Sequence, residues 1–330
     1  MMNQKELVEI NTGDPVDHFL ILTKIEERKT KTGNPFLNLE LRDKSTVIAA
    51  KMWDNFSEFI KDAETGKVVK IKGLMEEFNN SPQIKVSSIR LANEKDKVNP
   101  SDFLPKSSRS IEEMTAELEK RIDAIKNEHL KSLIKKILTG EKYEKYKHVP
   151  AGKAWHHAYV HGLIEHTLEI VKICDLICDI HSELNRDLII TGAILHDFGK
   201  TEELNYETNF DYTDKGKLLG HIVIAAMEIE DAAKSIKNFP GDLKDHVIHL
   251  VLSHQGKLEQ ASPVVPKTLE AITLYHADEL SAKVNAYKYA IKLDENKEGN
   301  WTRFQQLAGT AIFIPEKDDS DIEQETLFDN

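Results

Sequence analysis

The hydrophobic pattern of this chain changes its period once, and that change constrains the fold more than any other feature. Between residues 16 and 92, runs such as "FLNLELR" and "TVIAAKMW" alternate apolar and polar residues, the pattern of half-buried β-strands. After residue 110, apolar residues recur every three or four positions, the pattern of amphipathic helices. The stretch "KDKVNPSDFLPKSSRS" between them holds two prolines and several serines, which is typical of a linker. The sequence therefore predicts a small β domain joined to a larger helical domain.

The order of elements in the first part predicts an OB-fold. The strands "FLILTKIEE", "FLNLELRD" and "TVIAAKMW" come first, then the short helical piece "DNFSEFIKDAETG", then "KVVKIKGLM" and "IKVSSIRLA". Three strands, a helix and two strands is the order of this five-stranded barrel, which often binds oligonucleotides. A different small barrel that serves only as a contact surface is the alternative.

The outward faces of these strands carry candidate nucleic-acid-binding residues. Period-2 alternation places Leu37, Leu39 and Leu41 on one face of their strand and Phe36 on the other. By the same rule the outward residues of the other strands are Lys51, Trp53, Lys70 and Lys72. Aromatic rings among basic residues form a platform on which single-stranded bases can stack. The alternative is that Phe36 and Trp53 cover a barrel end or contact the other domain.

The whole chain divides into four parts. Residues 1–95 form the predicted OB-type domain, 96–110 the linker, 111–314 an all-α domain, and 315–330 an acidic tail. Ser110 and Glu113 have the spacing of a capping box, which predicts a helix from about Ile111. Helices are predicted to continue to about residue 312. The tail holds seven acidic residues and one lysine from Pro315 onward, and is predicted to be disordered.

The charge and the cysteines narrow the class of protein. A net charge of −12 argues against a protein held to nucleic acid by its overall charge, but it suits a site that collects metal cations. Cys174 and Cys178 lie four residues apart on one predicted helix, where packing is their expected role. The sequence shows no apolar run long enough to cross a bilayer, and the N-terminus lacks the pattern of a signal peptide. These features predict a cytoplasmic protein with no membrane partner, and a homo-oligomer is compatible with them.

Ionisable residues occupy apolar helical stripes at several points of the second half. His166 shares a stripe with Ile170, His221 with Ala225, and His254 with Val251, while Asp278 lies between Leu274 and Ala282. One histidine on such a stripe is usually a core residue, but a buried carboxylate without a partner is costly. Several helices that each direct an imidazole or a carboxylate inward are better explained by a shared metal site.

The stretch "ITGAILHDFGK" adds two ligand candidates at the end of an apolar helix. His196 and Asp197 are adjacent, so they can diverge toward neighbouring metal ions, with the carboxylate free to bridge them. Nitrogen and oxygen ligands without thiolates favour Mn, Fe, Zn, Ni or Mg. The sequence therefore predicts one or two divalent ions per chain.

The ordered set His166, His196–Asp197, His221, His254 and Asp278 resembles the HD superfamily of metal-dependent phosphohydrolases over residues 150–295. The segments "HHAYVHGLIEHTLEI", "AILHDFGK", "KLLGHIVIA", "LSHQGKLEQASPVVPKTLEA" and "ADELSAK" carry this resemblance. With the OB-type domain, nearly the full chain resembles the YhaM-type 3′–5′ exoribonucleases. That resemblance implies removal of nucleotides from single-stranded RNA, usually with manganese, and single-stranded DNA stays open as a substrate.

The resemblance also implies roles for single residues. His166, His196, Asp197 and Asp278 would hold one metal ion, and Asp197 would bridge to a second ion completed by His221 and His254. Lys200 would hold the phosphate as a point charge, although a lysine facing a helix dipole is as good an explanation. His157 would contact the scissile phosphate or donate a proton. The alternative for His157 is a surface or packing role.

Two positions depart from the pattern of the superfamily. Gln255 follows His254 where many two-metal members have a second histidine, and His161 stands beside Gly162 where a glycine is expected. The first departure weakens the expected second metal site. Two alternatives therefore stay open, namely a phosphohydrolase of nucleotides or dinucleotides and a nucleic-acid-binding protein whose HD domain is non-catalytic.

Overall fold

The computed structural model of the protein describes residues 4–78, 81–153, 156–206, 210–294, 299–306 and 308–315. Its first part is a closed barrel in the strand order β1-β2-β3-β5-β4. The elements are β1 (Pro15–Lys29), β2 (Pro35–Arg42), β3 (Val47–Met52), α1 (Phe59–Asp62), β4 (Val68–Phe78) and β5 (Ser81–Leu91). Strand β3 pairs with β5 in parallel, and the other neighbouring strands are antiparallel. The predicted OB-type fold is confirmed.

The apolar side chains that alternate along the strands fill the interior of the barrel. Leu37, Leu39 and Leu41 are completely buried, whereas Phe36 and Arg42 on the opposite face of β2 are partly exposed. Burying one such leucine contributes roughly 1.5–3 kcal/mol relative to leaving it exposed. A one-residue slip of β2 would turn all three leucines to solvent, so the apolar face fixes the register of the strand.

The segment predicted as a linker packs against both domains. One short 3₁₀ helix, Glu94–Asp96, leads into it and a second, Pro100–Phe103, lies within it. Lys106 forms a parallel bridge with Val160. Phe103 and Leu104 are buried in a small apolar cluster whose other fully buried members are Ile21, Val68, Val160 and Phe210. Because this cluster joins strands of the barrel to the helical domain, the segment holds the two domains against each other.

The described residues of the second part form helices, one short hairpin and, after the last helix, two isolated antiparallel bridges. The helices are α2 (Ile111–Asp123), α3 (Glu128–Ile137), α4 (Gly140–His148), α5 (Gly162–Ile180), α6 (Arg186–Leu195), α7 (Lys200–Glu203), α8 (Asp214–Lys234), α9 (Gly241–Ser253) and α10 (Leu269–Asp294). The hairpin pairs β6 (Leu204–Asn205) with β7 (Asp211–Tyr212). Helix α2 begins where the sequence predicts, because the Ser110 hydroxyl accepts a hydrogen bond from the Glu113 amide at 3.3 Å.

The core of the helical domain surrounds α6. This helix contacts α5, α9 and α10, and its residues from Leu188 to Leu195 are all buried. Tyr146 of α4 is completely buried, and its hydroxyl lies 2.8 Å from Thr167 Oγ1 and 3.0 Å from the Ile194 carbonyl. These hydrogen bonds tie three helices together beside the end of α6, where His196 and Asp197 follow.

The prediction that helices continue to about residue 312 is wrong. Helix α10 ends at Asp294, and the later described residues form antiparallel bridges between Trp301 and Phe313 and between Gln305 and Thr310. The φ angles of Gly299 and Gly309 are 94° and 67°, which a right-handed helix does not allow. Of the tail predicted to be disordered, residues 315–330, all but Pro315 lie outside the described residues.

The two cysteines pack in the helical core, as predicted. Both are free and buried, and burial raises the pKa of both thiols. In the part of the chain that the structure describes, no helix combines the length and the apolarity that a membrane crossing requires.

Candidate metal centre and nucleic-acid surface

Five helices bring the predicted metal ligands to one point inside the helical domain. His166 projects from α5, His196 and Asp197 follow the end of α6, and His254 follows the end of α9. All four side chains are buried. The remaining two ligands are His221 of α8 and Asp278 of α10. A left-handed φ of 72° at Gly220 kinks α8 immediately before His221.

Asp197 is the centre of this cluster, and its two carboxylate oxygens face different histidines. Oδ2 lies 3.3 Å from His196 Nε2 and 3.7 Å from His166 Nε2. Oδ1 lies 3.4 Å from His221 Nε2 and 3.6 Å from His254 Nε2. The ligand atoms of His166, His196 and Asp197 all lie within 4.8 Å of one another, as do those of Asp197, His221 and His254. We call these the first and second half-sites, with Asp197 common to both.

Asp278 belongs to the first half-site. Its Oδ1 lies 3.1 Å from His166 Nε2. The structure therefore brings together all six residues that the sequence predicts as metal ligands.

In each imidazole, Nδ1 points away from the cluster and faces a hydrogen-bond acceptor. Nδ1 of His196 donates to the Ala193 carbonyl at 2.8 Å, and Nδ1 of His254 donates to the Val251 carbonyl at 2.7 Å. Because a carbonyl oxygen only accepts, each Nδ1 carries a proton, and Nε2, the nitrogen that can offer a lone pair, points into the cluster. This is the usual arrangement of metal-binding histidines.

Two carboxylates that the sequence analysis missed hold the other imidazoles. Glu203 Oε1 accepts from His221 Nδ1 at 3.1 Å and from the His221 main-chain amide at 2.9 Å. His166 Nδ1 lies 3.1 Å from Ser281 Oγ, which donates to Glu169 Oε2 at 2.7 Å. Glu169 stands one turn after His166 on α5, a spacing that would have signalled a second inward residue. Glu203 follows Asp197 across a helix break, where no periodic signal is available.

Burial and charge shift the pKa values of the cluster in opposite directions. Burial would raise the pKa of Asp197, but the Lys200 ammonium and the His196 imidazole outweigh it and hold that pKa well below its ordinary value. Burial would also raise the pKa of Asp278, but the contact with His166 outweighs burial and lowers that pKa. Burial lowers the pKa of His166 and His254. These directions favour anionic Asp197 and Asp278 and neutral His166 and His254. Burial opposes ionisation of His196, but Asp197 outweighs it and raises that pKa. A metal ion binds the deprotonated forms of these ligands.

The donor set fits divalent metal ions. Nε2 of His166 and His196 and Oδ1 of Asp197 are buried and have no hydrogen-bond partner among the described residues. Buried polar atoms left in this way normally have a ligand that satisfies them. Imidazole nitrogens with carboxylate oxygens are ligands for Mn, Fe, Zn, Ni and Mg.

Lys200 lies beside the shared carboxylate. It begins α7, and its Nζ lies 2.5 Å from Asp197 Oδ2 with only 10% of its side chain exposed. Burial opposes ionisation, but Asp197 outweighs it and raises the pKa of Lys200. The ammonium therefore neutralises the shared carboxylate from the side of the first half-site.

Two more histidines extend the cluster beyond His166. The rings of His156 and His157 lie 5.0 and 5.1 Å from the His166 ring, centroid to centroid. His157 has a positive φ of 44°, is buried, and places Nε2 3.2 Å from Glu169 Oε2. His161 lies farther out, and its Nδ1 is 2.7 Å from the Lys147 carbonyl. Its φ of 71° is the left-handed conformation that explains why a glycine is expected there.

Gln255 lies beside the second half-site. Its Nε2 atom is 3.4 Å from His221 Nε2. The amide is thus placed where a second histidine was expected, but it offers only a carbonyl oxygen as a ligand.

On the barrel, Phe36, Lys51 and Trp53 lie together on the outer face of β2 and β3. The rings of Phe36 and Trp53 are stacked with centroids 4.8 Å apart, and Trp53 is 39% exposed. Lys51 Nζ lies 4.2 Å from the ring centroid of Phe78, an exposed aromatic that the sequence analysis did not select. This face is the one through which OB-folds commonly bind oligonucleotides.

Lys70 and Lys72 lie on another part of the barrel, where β4 pairs with β1. Their ammonium groups are 2.6 and 3.5 Å from the carboxylate of Asp17, and Lys70 also lies 4.5 Å from the Phe19 ring centroid. The structure therefore does not join these two lysines to the platform of Phe36 and Trp53.

Known proteins resemble both parts of the chain. The family model of the HD domain matches residues 163–283, and that of the OB-fold nucleic acid binding domain matches residues 21–92. The 3′–5′ exoribonuclease YhaM of Geobacillus sp. (strain WCH70) is 35% identical over 313 residues, which are 94% of this chain and 95% of that protein.

Solved structures with a similar barrel include PriB from Ralstonia solanacearum, at 15% identity and a TM-score of 0.22, covering 24% of this chain and 97% of that one. A domain of replication protein A from Methanococcus maripaludis has 14% identity and a TM-score of 0.24, covering 27% of this chain and 94% of that one.

The fold and the site define a hydrolase in which an OB-fold nucleic-acid-binding domain precedes an HD phosphohydrolase domain. Similarity to one relative extends over nearly the whole of both chains. The chain belongs to the YhaM family of 3′–5′ exoribonucleases.

Proposed function

We propose that this chain is a manganese-dependent exonuclease that removes nucleotides from the 3′ end of single-stranded RNA. The barrel binds the strand, and the helical domain hydrolyses the terminal phosphodiester bond. The observation that carries this proposal is the convergence of four imidazole nitrogens on the two oxygens of Asp197, in a chain whose other domain is an OB barrel.

The two half-sites would each hold one divalent ion. His166, His196, Asp197 and Asp278 would supply the ligands of the first, and Asp197, His221 and His254 those of the second. Bound ions would supply Lewis-acid chemistry, which activates water and neutralises negative charge on phosphate oxygens. Lys200 holds the charge and orientation of Asp197 through its hydrogen bond to Oδ2.

His157 is our candidate for contact with the substrate. It lies on the side of the first half-site, next to His166. There the imidazole would donate a hydrogen bond to the scissile phosphate or a proton to the leaving 3′ oxygen. The oxygen of water bonds to phosphorus as the bond between phosphorus and the 3′ oxygen breaks. The released nucleotide therefore carries a 5′-phosphate, and the shortened strand keeps a 3′ hydroxyl and can be cleaved again.

The size of the products tests the proposal. Single-stranded RNA labelled at its 5′ end is incubated with the protein and Mn²⁺, with Asp197→Ala as the control variant. A ladder that shortens from the 3′ end is expected, and a label at the 3′ end should appear at once as mononucleotide. Cleavage of dinucleotides alone would favour the phosphohydrolase alternative, and no product from any substrate would favour a non-catalytic HD domain. The same assay with single-stranded DNA measures the preference between the two nucleic acids.

A further inference from the structure

One face of α10 lines the first half-site with three polar residues at helical spacing. Asp278 contacts His166 Nε2, Ser281 contacts His166 Nδ1, and Asn285 Oδ1 accepts from the main-chain amide of His157 at 2.8 Å. Ser281 is 4% exposed, so its hydroxyl is removed from solvent. These three polar residues of α10 therefore contact both His166 and His157.

Glu169 joins the two histidines from the opposite helix. Its Oε2 accepts from the Ser281 hydroxyl at 2.7 Å and lies 3.2 Å from His157 Nε2. The Ser281 proton is thus directed to Glu169, which leaves Ser281 Oγ free to accept from His166 Nδ1. One carboxylate in this way reaches a metal ligand through a hydroxyl and lies within ion-pair distance of the candidate catalytic histidine.

We infer that Glu169, acting through Ser281, is a positioning residue that fixes the Nδ1-protonated form of His166 and holds the ring of His157 beside the first half-site. The inference rests on the proposed function for the role of His157. It assigns to Glu169 and Ser281 a part in metal binding that the predicted ligand set does not include.

The direction of the Ser281 hydroxyl is the physical basis of this inference. Without the Glu169 carboxylate, the hydroxyl is free to donate to His166 Nδ1. The imidazole proton would then move to Nε2, the nitrogen that must carry a lone pair toward the metal. Without the hydroxyl, Nδ1 has no acceptor and the preference between the two tautomers is lost. Outer partners of metal-binding histidines typically contribute 10–100-fold in metal affinity or activity.

The test compares Glu169→Met, Ser281→Ala and the double variant with the unchanged protein. Methionine keeps the length of the side chain without an acceptor, and Glu169→Gln restores an acceptor. The control is Asp179→Asn, which neutralises an exposed carboxylate of the same helix. Side-chain ¹⁵N NMR of the chelator-treated protein reports the tautomer of His166, and calorimetry with Mn²⁺ reports affinity.

We expect Nδ1-protonated His166 in the unchanged protein and in Asp179→Asn, and a mixture of tautomers in the variants. Mn²⁺ affinity should fall about 10–100-fold in Glu169→Met and in Ser281→Ala, with no further loss in the double variant, because both changes break one connection. Glu169→Gln should recover part of the loss. Unchanged affinity and tautomer in both single variants, or losses that multiply in the double variant, would overturn the inference.

Turnover of single-stranded RNA at saturating Mn²⁺ separates the two branches of the inference, namely the effect of Glu169 on His166 through Ser281 and its effect on His157. Glu169→Met should lower kcat more than Ser281→Ala does, since it also releases His157, and His157→Ala should cause no further loss in the Glu169→Met background. Equal kcat values for Glu169→Met and Ser281→Ala would refute the His157 branch. If the unchanged protein does not degrade RNA, the proposed function fails, while the NMR and calorimetric results still decide the His166 branch.

Discussion

His221 Nε2 lies 3.4 Å from Asp197 Oδ1, and this approach depends on the absence of a side chain at Gly199. A Cβ atom at Gly199 would lie 2.0 Å from the main-chain oxygen of His221. Two backbones thus pass each other at a distance that only glycine allows, and the second half-site forms where they meet.

Gly199→Ala is therefore expected to push α8 away from α7 and to separate His221 from Asp197. The strain should cost about 1–3 kcal/mol of the free energy of unfolding and loosen the metal ion of the second half-site more than that of the first. Thermal unfolding and metal titration measure the two effects. Gly241→Ala is the matched control, because a Cβ there meets nothing within 4 Å. The same small effect in both variants would show that the close approach is not needed.

Removing the shared ligand should abolish both half-sites. In Asp197→Ala, hydrolysis and metal binding are expected to be lost while the helical content measured by circular dichroism stays the same. The change also leaves the Lys200 ammonium buried without its partner, a loss that typically costs roughly 3–5 kcal/mol.

The double variant Asp197→Ala with Lys200→Met separates these effects. It should regain much of the stability, because the unpaired charge is gone, but none of the activity. Near-normal turnover in Asp197→Ala would contradict the central role that we assign to this carboxylate.

Gln255 predicts unequal affinity for the two metal ions. An amide oxygen is a weak ligand beside the second half-site, so one ion should survive dialysis against a mild chelator and the other should be lost. Elemental analysis measures the equivalents retained. Gln255→His, which supplies an imidazole at the same position, should raise retention toward two equivalents. Two equivalents held by the unchanged protein would mean that Gln255 does not limit the second site.

Sequence patterns predicted the parts of this structure that depend on neighbours along the chain. Alternation around Leu37, Leu39 and Leu41 gave the faces of β2, and the apolar stripe of α5 placed His166 inward. Contacts between residues that are distant along the chain leave no such pattern in the sequence. Asp17 draws Lys70 and Lys72 to one side of the barrel through pairing of β1 with β4, which alternation within a single strand does not reveal.

The supports of the metal centre were missed for the same physical reason. Ser281 reaches His166 only because α10 packs against α5, and Glu203 reaches His221 only because α7 packs against α8. Each of these residues is an ordinary helix residue in the sequence. Their chemistry comes from tertiary contacts, which no local period encodes.

The last prediction concerns the division of labour between the domains. If Phe36 and Trp53 stack bases and Lys51 contacts phosphates, the barrel contributes affinity and the HD domain contributes chemistry. Stacking of one base on an aromatic ring is worth ~1–3 kcal/mol, so Phe36→Ala with Trp53→Ala should weaken binding of long strands on the order of a hundredfold if the effects add. The KM for long single-stranded RNA should rise, its kcat should change little, and cleavage of a dinucleotide should be nearly unaffected.

A second double variant, Lys70→Ala with Lys72→Ala, is the comparison on the other part of the barrel. Both lysines already neutralise Asp17, so less of their charge is available to a phosphate backbone, and a smaller rise in KM is expected. Steady-state kinetics on a long strand and on a dinucleotide distinguish the outcomes. Equal losses on both substrates for the aromatic variant would mean that Phe36 and Trp53 support the fold. A larger effect of the lysine variant would place the path of the strand along β1 and β4, because the residues that raise KM only for long substrates must be those that the strand crosses before it reaches Asp197.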